Sequence, residues 1–85
     1  MMRTNMHPKL TETEVKILRM VGRGWTDRQI AKALRIRENT VRTFHIFHIM
    51  QKIHANNRVR VATYALRFGY VTLDDIDFGR SEVYW

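Results

Sequence analysis

Residues 10–42 read LTETEVKILRMVGRGWTDRQIAKALRIRENTVR and contain the same helix-start signal twice. Thr11 is followed three residues later by Glu14, and Thr26 is followed at the same distance by Gln29. At this spacing each of the two side chains accepts a hydrogen bond from the backbone N–H of the other residue, which is a capping box. Apolar residues at helical spacing follow each box, and glycines separate the two runs. The stretch therefore predicts two helices joined by a short turn.

A second turn, at residues 34–37, follows the second of these helices. Ile36, between Arg35 and Arg37, is expected to fill the corner between the second helix and a longer third one. The third helix is predicted from about residue 37 or 38 to about residue 54. Two helices that meet at a tight turn, the second longer and flanked by cations, are typical of a helix-turn-helix.

A fourth helix is predicted over about residues 58–68, where Asn57 can cap its start and Gly69 can end it. Only residues 70–73 resemble a strand. The sequence therefore predicts an all-α fold, a four-helix bundle in which helices 2 and 3 form the helix-turn-helix.

The composition fits one small domain. The chain has 85 residues and no cysteine, so a disulfide scaffold and thiolate metal sites are excluded. It contains no apolar run of membrane-spanning length and no secretion signal at its start, so we expect a cytoplasmic protein. No nucleophile with a nearby base and no paired carboxylates are evident, so we expect neither an enzyme nor a cofactor. The Met1 start and an unusual C-terminal tail favour a full-length protein over an excised effector domain.

Positive charge is distributed unevenly along the chain, whose net charge is +7. Residues 1–73 carry fourteen Lys or Arg against four acids, a balance of +10, whereas four of the last twelve residues are acidic. A basic body favours a polyanionic partner, because each phosphate that it neutralises releases counterions. A solubilising surface is the alternative.

Particular residues on both sides of the second turn follow a known spacing. They are Leu10-Thr11, Glu14, Ile17-Leu18, Gly24-Trp25-Thr26, Ile30-Ala31, Leu34, Ile36, Thr40-Val41-Arg42, Lys52-Ile53, Asn57-Arg58, Ala62, Ala65 and Gly69. In this pattern the chain resembles the LuxR/GerE family of bacterial transcription regulators. The resemblance implies a DNA-binding domain at residues 10–71, with an N-terminal arm at 1–9 and an acidic, aromatic C-terminal tail at 72–85.

Two apolar groups of the third helix are out of phase with each other. One group is Val41 and Phe44, and the other consists of the isoleucines at positions 46, 49 and 53. A straight helix turns about 100° per residue and cannot bury both groups on one face. The family pattern can also be counted forward from Thr40-Val41 or backward from Lys52-Ile53. The two counts disagree by one residue, so the third helix contains one residue more than the pattern. We therefore predict a one-residue bulge near residues 43–45, with a straight helix as the alternative.

The exposed face of the third helix carries the candidates for reading DNA bases. These are Asn39, Arg42, Thr43 and Phe47, the last turned outward by the bulge. Arginine suits bidentate contact with guanine, and threonine or phenylalanine can meet a thymine methyl. The resemblance implies this role for Arg42 and Thr43. Five further side chains suit DNA phosphates: Thr26, Arg28, Arg35, Arg37 and Lys52. The alternative for both sets is a solvated polar surface.

The fourth helix carries two apolar stripes. One consists of Val61, Ala62, Ala65 and Phe68 and is expected to face the core. The other consists of Val59, Thr63, Leu66 and Tyr70 and needs a cover. The resemblance implies that the same helix of a second subunit supplies it, in a homodimer. The alternative cover is the C-terminal tail, which contains Ile76, Phe78, Val83, Tyr84 and Trp85.

Three other features have structural interpretations. Glu14 and Arg58 both stand at helix starts, and we expect them to pair and brace helix 1 against helix 4. His45 and His48 are three residues apart, but carboxylates are scarce nearby, so we expect packing or surface histidines and no metal. Trp25 is expected to pack locally.

The sequence thus predicts a regulator that binds a specific, partly symmetric site on double-stranded DNA as a homodimer. The alternative is a protein-interaction module of the same fold that binds another regulator or RNA polymerase. Phe44, Phe47 and the tail favour that alternative. No membrane partner is expected.

Overall fold

The computed structural model describes residues 9–76, and this part of the chain is helical apart from its turns. Helix α1 spans Glu12–Gly22, α2 spans Asp27–Leu34 and α4 spans Arg58–Arg67. Helix α3 covers residues 38–53 in three consecutive pieces: an α-helical turn at Glu38–Thr40, a π-helical stretch at Val41–Ile46 and an α-helical piece at Phe47–Ile53. A 3-10 turn at Leu73–Asp75 follows α4. The predicted all-α class is confirmed.

Residues 70–73, which resemble a strand in sequence, do not form one. The backbone N–H groups of Tyr70 and Val71 both donate to the carbonyl of Ala65, at 2.8 and 3.3 Å, so they close the end of α4. These donors are therefore not available to a sheet, and the chain continues into the 3-10 turn. No helix within residues 9–76 is long and apolar enough to cross a membrane.

Both predicted capping boxes are present. Thr11 N–H donates to Glu14 Oε1 at 2.9 Å and Glu14 N–H donates to Thr11 Oγ1 at 3.1 Å. The second box joins Thr26 and Gln29 in the same way, at 2.8 and 3.1 Å. Asn57 caps α4 by accepting from Arg60 N–H at 2.9 Å. Each cap satisfies backbone N–H groups that the first helical turn leaves unpaired, which fixes where these helices begin.

A residue in the left-handed region closes each of the four helices. They are Gly24, Arg35, His54 and Gly69, at φ of 94°, 59°, 60° and 81°. In each case the next N–H reaches back five residues: Trp25 to Met20, Ile36 to Ala31, Ala55 to Met50 and Tyr70 to Ala65, at 2.8–3.1 Å. This is the Schellman ending, which satisfies late carbonyls and turns the chain sharply. Two of the four positions are not glycine and therefore carry backbone strain.

One hydrophobic core holds the helices together. Its members are Ile17, Leu18, Val21, Ile30, Ala31, Val41, Ile46, Ile49, Ile53, Val61, Ala65 and Val71. Helices α1 and α4 make the most extensive contact. They approach closely at Gly22, where an added Cβ would lie 2.8 Å from Ala65 Cβ. Glycine is needed there for space and not for its backbone freedom.

The predicted bulge in α3 is confirmed as the π-helical stretch Val41–Ile46. A π turn aligns a residue with the fifth residue after it, so Ile46 shares the face of Val41. Ile49 and Ile53 then follow on the same face, and all four side chains are at least nine-tenths buried.

Two side chains expected in the core are not there. Phe44 is 53% exposed, because the wider π turn carries the position three residues after Val41 off the buried face. Phe68 is 46% exposed, because α4 ends at Arg67 and the backbone of Phe68, with φ of −99° and ψ of 14°, leaves the helical path. The centroid of its ring lies 4.6 Å from the centroid of the Tyr64 ring.

Candidate nucleic-acid interface

The corner between α2 and α3 is built as the sequence predicts. Ile36 is half-buried and packs against the core, and its N–H bond to the carbonyl of Ala31 closes α2. Arg35 and Arg37, on either side of it, are exposed. The apolar residue thus anchors the turn while its two basic neighbours face solvent.

All four candidates for base contact lie on the exposed surface of α3. Asn39, Arg42 and Thr43 are exposed, and Phe47 is 48% exposed. The hydroxyl of Thr43 donates to the carbonyl of Asn39 at 2.7 Å. Because that hydroxyl is engaged with the backbone, the methyl group is the part of Thr43 that suits contact with a thymine methyl.

Asp27 binds Arg42, and sequence reasoning did not single this residue out. Its Oδ2 accepts from Arg42 Nη1 at 3.0 Å, and its Oδ1 accepts from Arg58 Nη1. Arg58 Nη2 also donates to the carbonyl of Trp25. One carboxylate in the first turn of α2 therefore joins α3 and the start of α4. The signal in the sequence was an acid directly after a helix cap, in a stretch with only four acids.

The predicted pair of Glu14 with Arg58 is wrong. Glu14 Oε1 instead accepts from Lys52 Nζ at 2.7 Å, and the Lys52 ammonium also lies 3.3 Å from the carbonyl of Lys9. The C-terminal end of α3 lies against the start of α1, whereas the start of α4 faces the start of α2. Burial raises the pKa of the Glu14 carboxyl, but hydrogen bonds from Lys52 and Thr11 outweigh it, and the net pKa lies below its ordinary value.

The five candidates for phosphate contact fall into two groups. Arg28, Arg35 and Arg37 are exposed, and their side chains have no hydrogen-bond or ion-pair partner within residues 9–76. The other two are engaged. The hydroxyl of Thr26 takes part in its capping box, and the ammonium of Lys52 is held by Glu14 with its side chain 37% exposed.

An aromatic cluster lies on the outer surface of α3, across the end of the π stretch and the first turn after it. The Phe44 ring meets the rings of His48 and His45 edge-on, at centroid distances of 4.5 and 5.0 Å, and Phe47 meets His48 at 5.8 Å. The histidines thus pack against phenylalanines. No group of three or more His, Cys, Asp or Glu that could hold a metal occurs among residues 9–76.

The second stripe of α4 remains on the surface of the described chain. Val59 is 70% exposed, Leu66 is 37% exposed and Tyr70 is half-buried beside Tyr64. The hydroxyl of Thr63 donates to backbone carbonyls of its own helix, at 3.1 Å. The tail residues proposed as an alternative cover lie outside the described residues, apart from Ile76. The N-terminal arm lies outside them up to residue 8.

Comparison with known proteins identifies relatives of this chain. A family model described as bacterial regulatory proteins, luxR family, matches residues 8–65. The transcriptional regulatory protein LnrK of Bacillus subtilis is 37% identical over 60 residues, which cover 71% of this chain and 27% of that protein. The response regulator protein VraR of Staphylococcus aureus is 30% identical over 69 residues, which cover 81% of this chain and 32% of that protein. The chain thus spans about a third of the length of these relatives. No solved structure matches it significantly.

Proposed function

The chain belongs to the luxR family of bacterial regulatory proteins, and from that premise we propose that it regulates transcription by reading a specific site on double-stranded DNA with α3. One observation carries the proposal. The π stretch keeps one face of α3 in the core while Asn39, Arg42, Thr43 and Phe47 stay exposed on the others. Arginine, threonine and an apolar ring are side chains that distinguish bases in the major groove.

The basic groups around α3 support binding to the DNA backbone. Arg28 lies in the first turn of α2, and Arg35 and Arg37 flank Ile36 in the turn that leads into α3. Exposed guanidinium groups beside a reading helix suit phosphate contacts, which fix the register of the protein on the duplex.

The first experiment measures affinity for duplex DNA against salt concentration. Because several phosphates are neutralised, log Kd should rise steeply and linearly with log salt. A protein that shifts no duplex from a bacterial genomic library at low salt contradicts the proposal.

The second experiment separates base contacts from phosphate contacts. Arg42→Ala should cost about 1–3 kcal/mol on the preferred site and relax the preference at one base position. Arg28→Ala is the matched control and should weaken all duplexes by about the same factor. A uniform loss in both variants contradicts base reading by Arg42.

We further propose a homodimer through α4 on a partly symmetric site. The support is the exposed stripe with Val59 and Leu66, together with the two-fold symmetry that is common among helix-turn-helix dimers. Leu66→Glu should place a charge in the interface and dissociate the dimer, whereas Thr13→Glu on α1 should not. Sedimentation that finds the wild type monomeric both free and on DNA contradicts this.

The exposed Phe44 and Phe47 favour a second candidate, a module that binds another regulator or RNA polymerase. Duplexes in which deoxyuridine replaces thymidine distinguish the two. Loss of the thymine methyl should weaken binding if Phe47 reads DNA. Unchanged binding to such duplexes, with RNA polymerase retained on the wild type and lost from Phe47→Ala, supports the second candidate.

A further inference from the structure

Asp27 occupies an unusual position for an acid in a protein of this charge. It lies in the first turn of α2, among residues that are otherwise strongly basic. A carboxylate beside a phosphate-binding surface repels the backbone of DNA, so by itself it lowers affinity. Its two oxygens are both engaged, one by Arg42 and one by Arg58.

Asp27 is itself held firmly. Its side chain is 13% exposed, and it is attached to α2 directly after the capping residue Thr26. Arg58 clamps it from the start of α4 and is fixed in turn by the carbonyl of Trp25. The carboxylate is therefore held in one position, and it can hold a flexible side chain in place by a hydrogen bond.

Arg42 is the side chain that the Asp27 carboxylate holds in this way. Its contact to Asp27 runs between two side chains fifteen residues apart, and the Arg42 side chain remains 54% exposed. A guanidinium has five N–H donors in a rigid plane, so the contact through Nη1 leaves donors for a base. An arginine fixed before binding loses less rotamer freedom when it meets guanine, and it meets guanine in one orientation.

We propose that Asp27 is a positioning residue that sets the base specificity of Arg42. The proposal rests on the proposed function, because it requires Arg42 to read a base. Asp27 touches no base itself. It lowers the affinity for DNA in general through its charge, and it raises discrimination at the single base pair that Arg42 reads.

Four proteins test this proposal: the wild type, Asp27→Asn, Arg42→Ala and the double variant. The probes are the duplex that the wild type enriches from a randomised library, the same duplex changed at the base pair to which Arg42→Ala is indifferent, and a random duplex. Asp27→Asn should reduce discrimination at that base pair about fivefold or more, while its affinity for random duplex stays equal or rises. In the Arg42→Ala background it should change discrimination by less than about twofold, because the two residues act as one unit.

A merely structural role predicts a different result. Loosened packing lowers discrimination at every base pair, including those that Arg42 does not read. A general loss of this kind in Asp27→Asn, or unchanged discrimination at the Arg42 base pair, overturns the proposal. If thermal unfolding shows that Asp27→Asn does not fold, Asp27→Glu, which moves the carboxylate by one methylene, undergoes the same test.

The outcome also separates this inference from the function on which it rests. If the wild type enriches no duplex, the proposed DNA reading fails. If Arg42→Ala loses one base preference and Asp27→Asn keeps it, DNA reading stands and only the positioning role fails.

Discussion

The two halves of α3 differ in what they bury and in what holds them. The first half, residues 38–46, buries Val41 and Ile46 and presents an exposed Arg42 that is tied to α2. The second half, Phe47–Ile53, buries two isoleucines and carries Lys52, which is tied to α1. Each half thus has one cation bound by a carboxylate from the first turn of another helix.

The difference shows how one helix can present exposed polar side chains and also fill the core. In a regular α-helix the phase of the first half fixes the phase of the second. The π-helical stretch at Val41–Ile46 removes that constraint, because it absorbs one extra residue. The isoleucines of the second half can then fill the core together with Val41, while Arg42 and Thr43 of the first half stay on the surface. Substitutions in the two halves should therefore affect different properties.

The largest expected effect is on stability, from the second half. Ile49 is fully buried, so Ile49→Ala should lower the free energy of unfolding by about 2–5 kcal/mol. Phe47→Ala, at the start of the same half but 48% exposed, should change it by no more than about 0.5 kcal/mol. Urea unfolding followed by circular dichroism measures both. Equal costs for the two substitutions contradict the assignment of faces.

The ion pair that anchors the second half should have the next largest effect. Glu14→Gln keeps a capping box, as Gln29 shows in α2, and removes only the charge. It leaves the Lys52 ammonium without its partner. Since Lys52 is more than a third exposed, the loss should be about 1–3 kcal/mol at pH 7, below that of a fully buried pair.

The cost of Glu14→Gln should depend on pH. The folded-state pKa of Glu14 is lowered, so its contribution is complete above the unfolded pKa of about 4.3 and is lost as pH falls through the lower folded value. The wild type and the variant should therefore converge in stability as the pH falls from about 5 through the lowered folded-state pKa. Hydrogen bonds from Thr72 also lower the pKa of Asp75, and comparison of the two proteins cancels that contribution. A difference that is constant with pH contradicts the ion-pair assignment.

Removing the extra residue tests the junction between the halves. Deletion of Phe44 should convert Val41–Ile46 into regular α-helix and keep the isoleucines in the core, because one residue's rotation is what the π stretch absorbs. The free energy of unfolding should change by about 1 kcal/mol or less.

Insertion of an alanine after Phe44 is the matched control for this deletion. It adds a further rotation of about 100° and should cost more than about 2 kcal/mol, since buried side chains leave the core. Amide hydrogen exchange along α3 reports both changes. A deletion as destabilising as the insertion is incompatible with a single absorbed residue.

The features that the sequence predicted correctly are those set by local chemistry. The capping boxes at Thr11 and Thr26 depend on residues three positions apart, and the bulge follows from the mismatch in phase along one helix. Phe44 and Phe68 were misplaced because a regular period was extended into the π turn and past the end of α4.

The ion pairs could not be derived in the same way. Glu14 pairs with Lys52, and Asp27 pairs with Arg58. Both pairs depend on which helix ends lie close together in space. Long side chains in a basic chain offer many partners of similar energy, so sequence spacing does not select among them. The residue proposed to set specificity was therefore found only from the structure.

The smallest expected effect comes from the left-handed residues that end α2 and α3. Arg35 and His54 have φ of 59° and 60°, a conformation that costs a residue with a Cβ about 1–2 kcal/mol but costs glycine little. Part of that stabilisation is lost because glycine has more conformational freedom in the unfolded chain. Arg35→Gly and His54→Gly should therefore each stabilise the protein by about 0.5–1 kcal/mol.

The two substitutions should differ in DNA binding although they agree in stability. Arg35 lies in the turn before the half of α3 that we propose reads DNA, and it is exposed without an ion-pair partner in the described chain. Its loss should therefore weaken binding to all duplexes and flatten the salt dependence. His54 follows the half of α3 that is anchored in the core, and His54→Gly should leave affinity within about twofold. Thermal unfolding and salt titrations of the two variants measure both properties. Equal losses of affinity would show that the two ends of α3 do not divide recognition from stability as proposed.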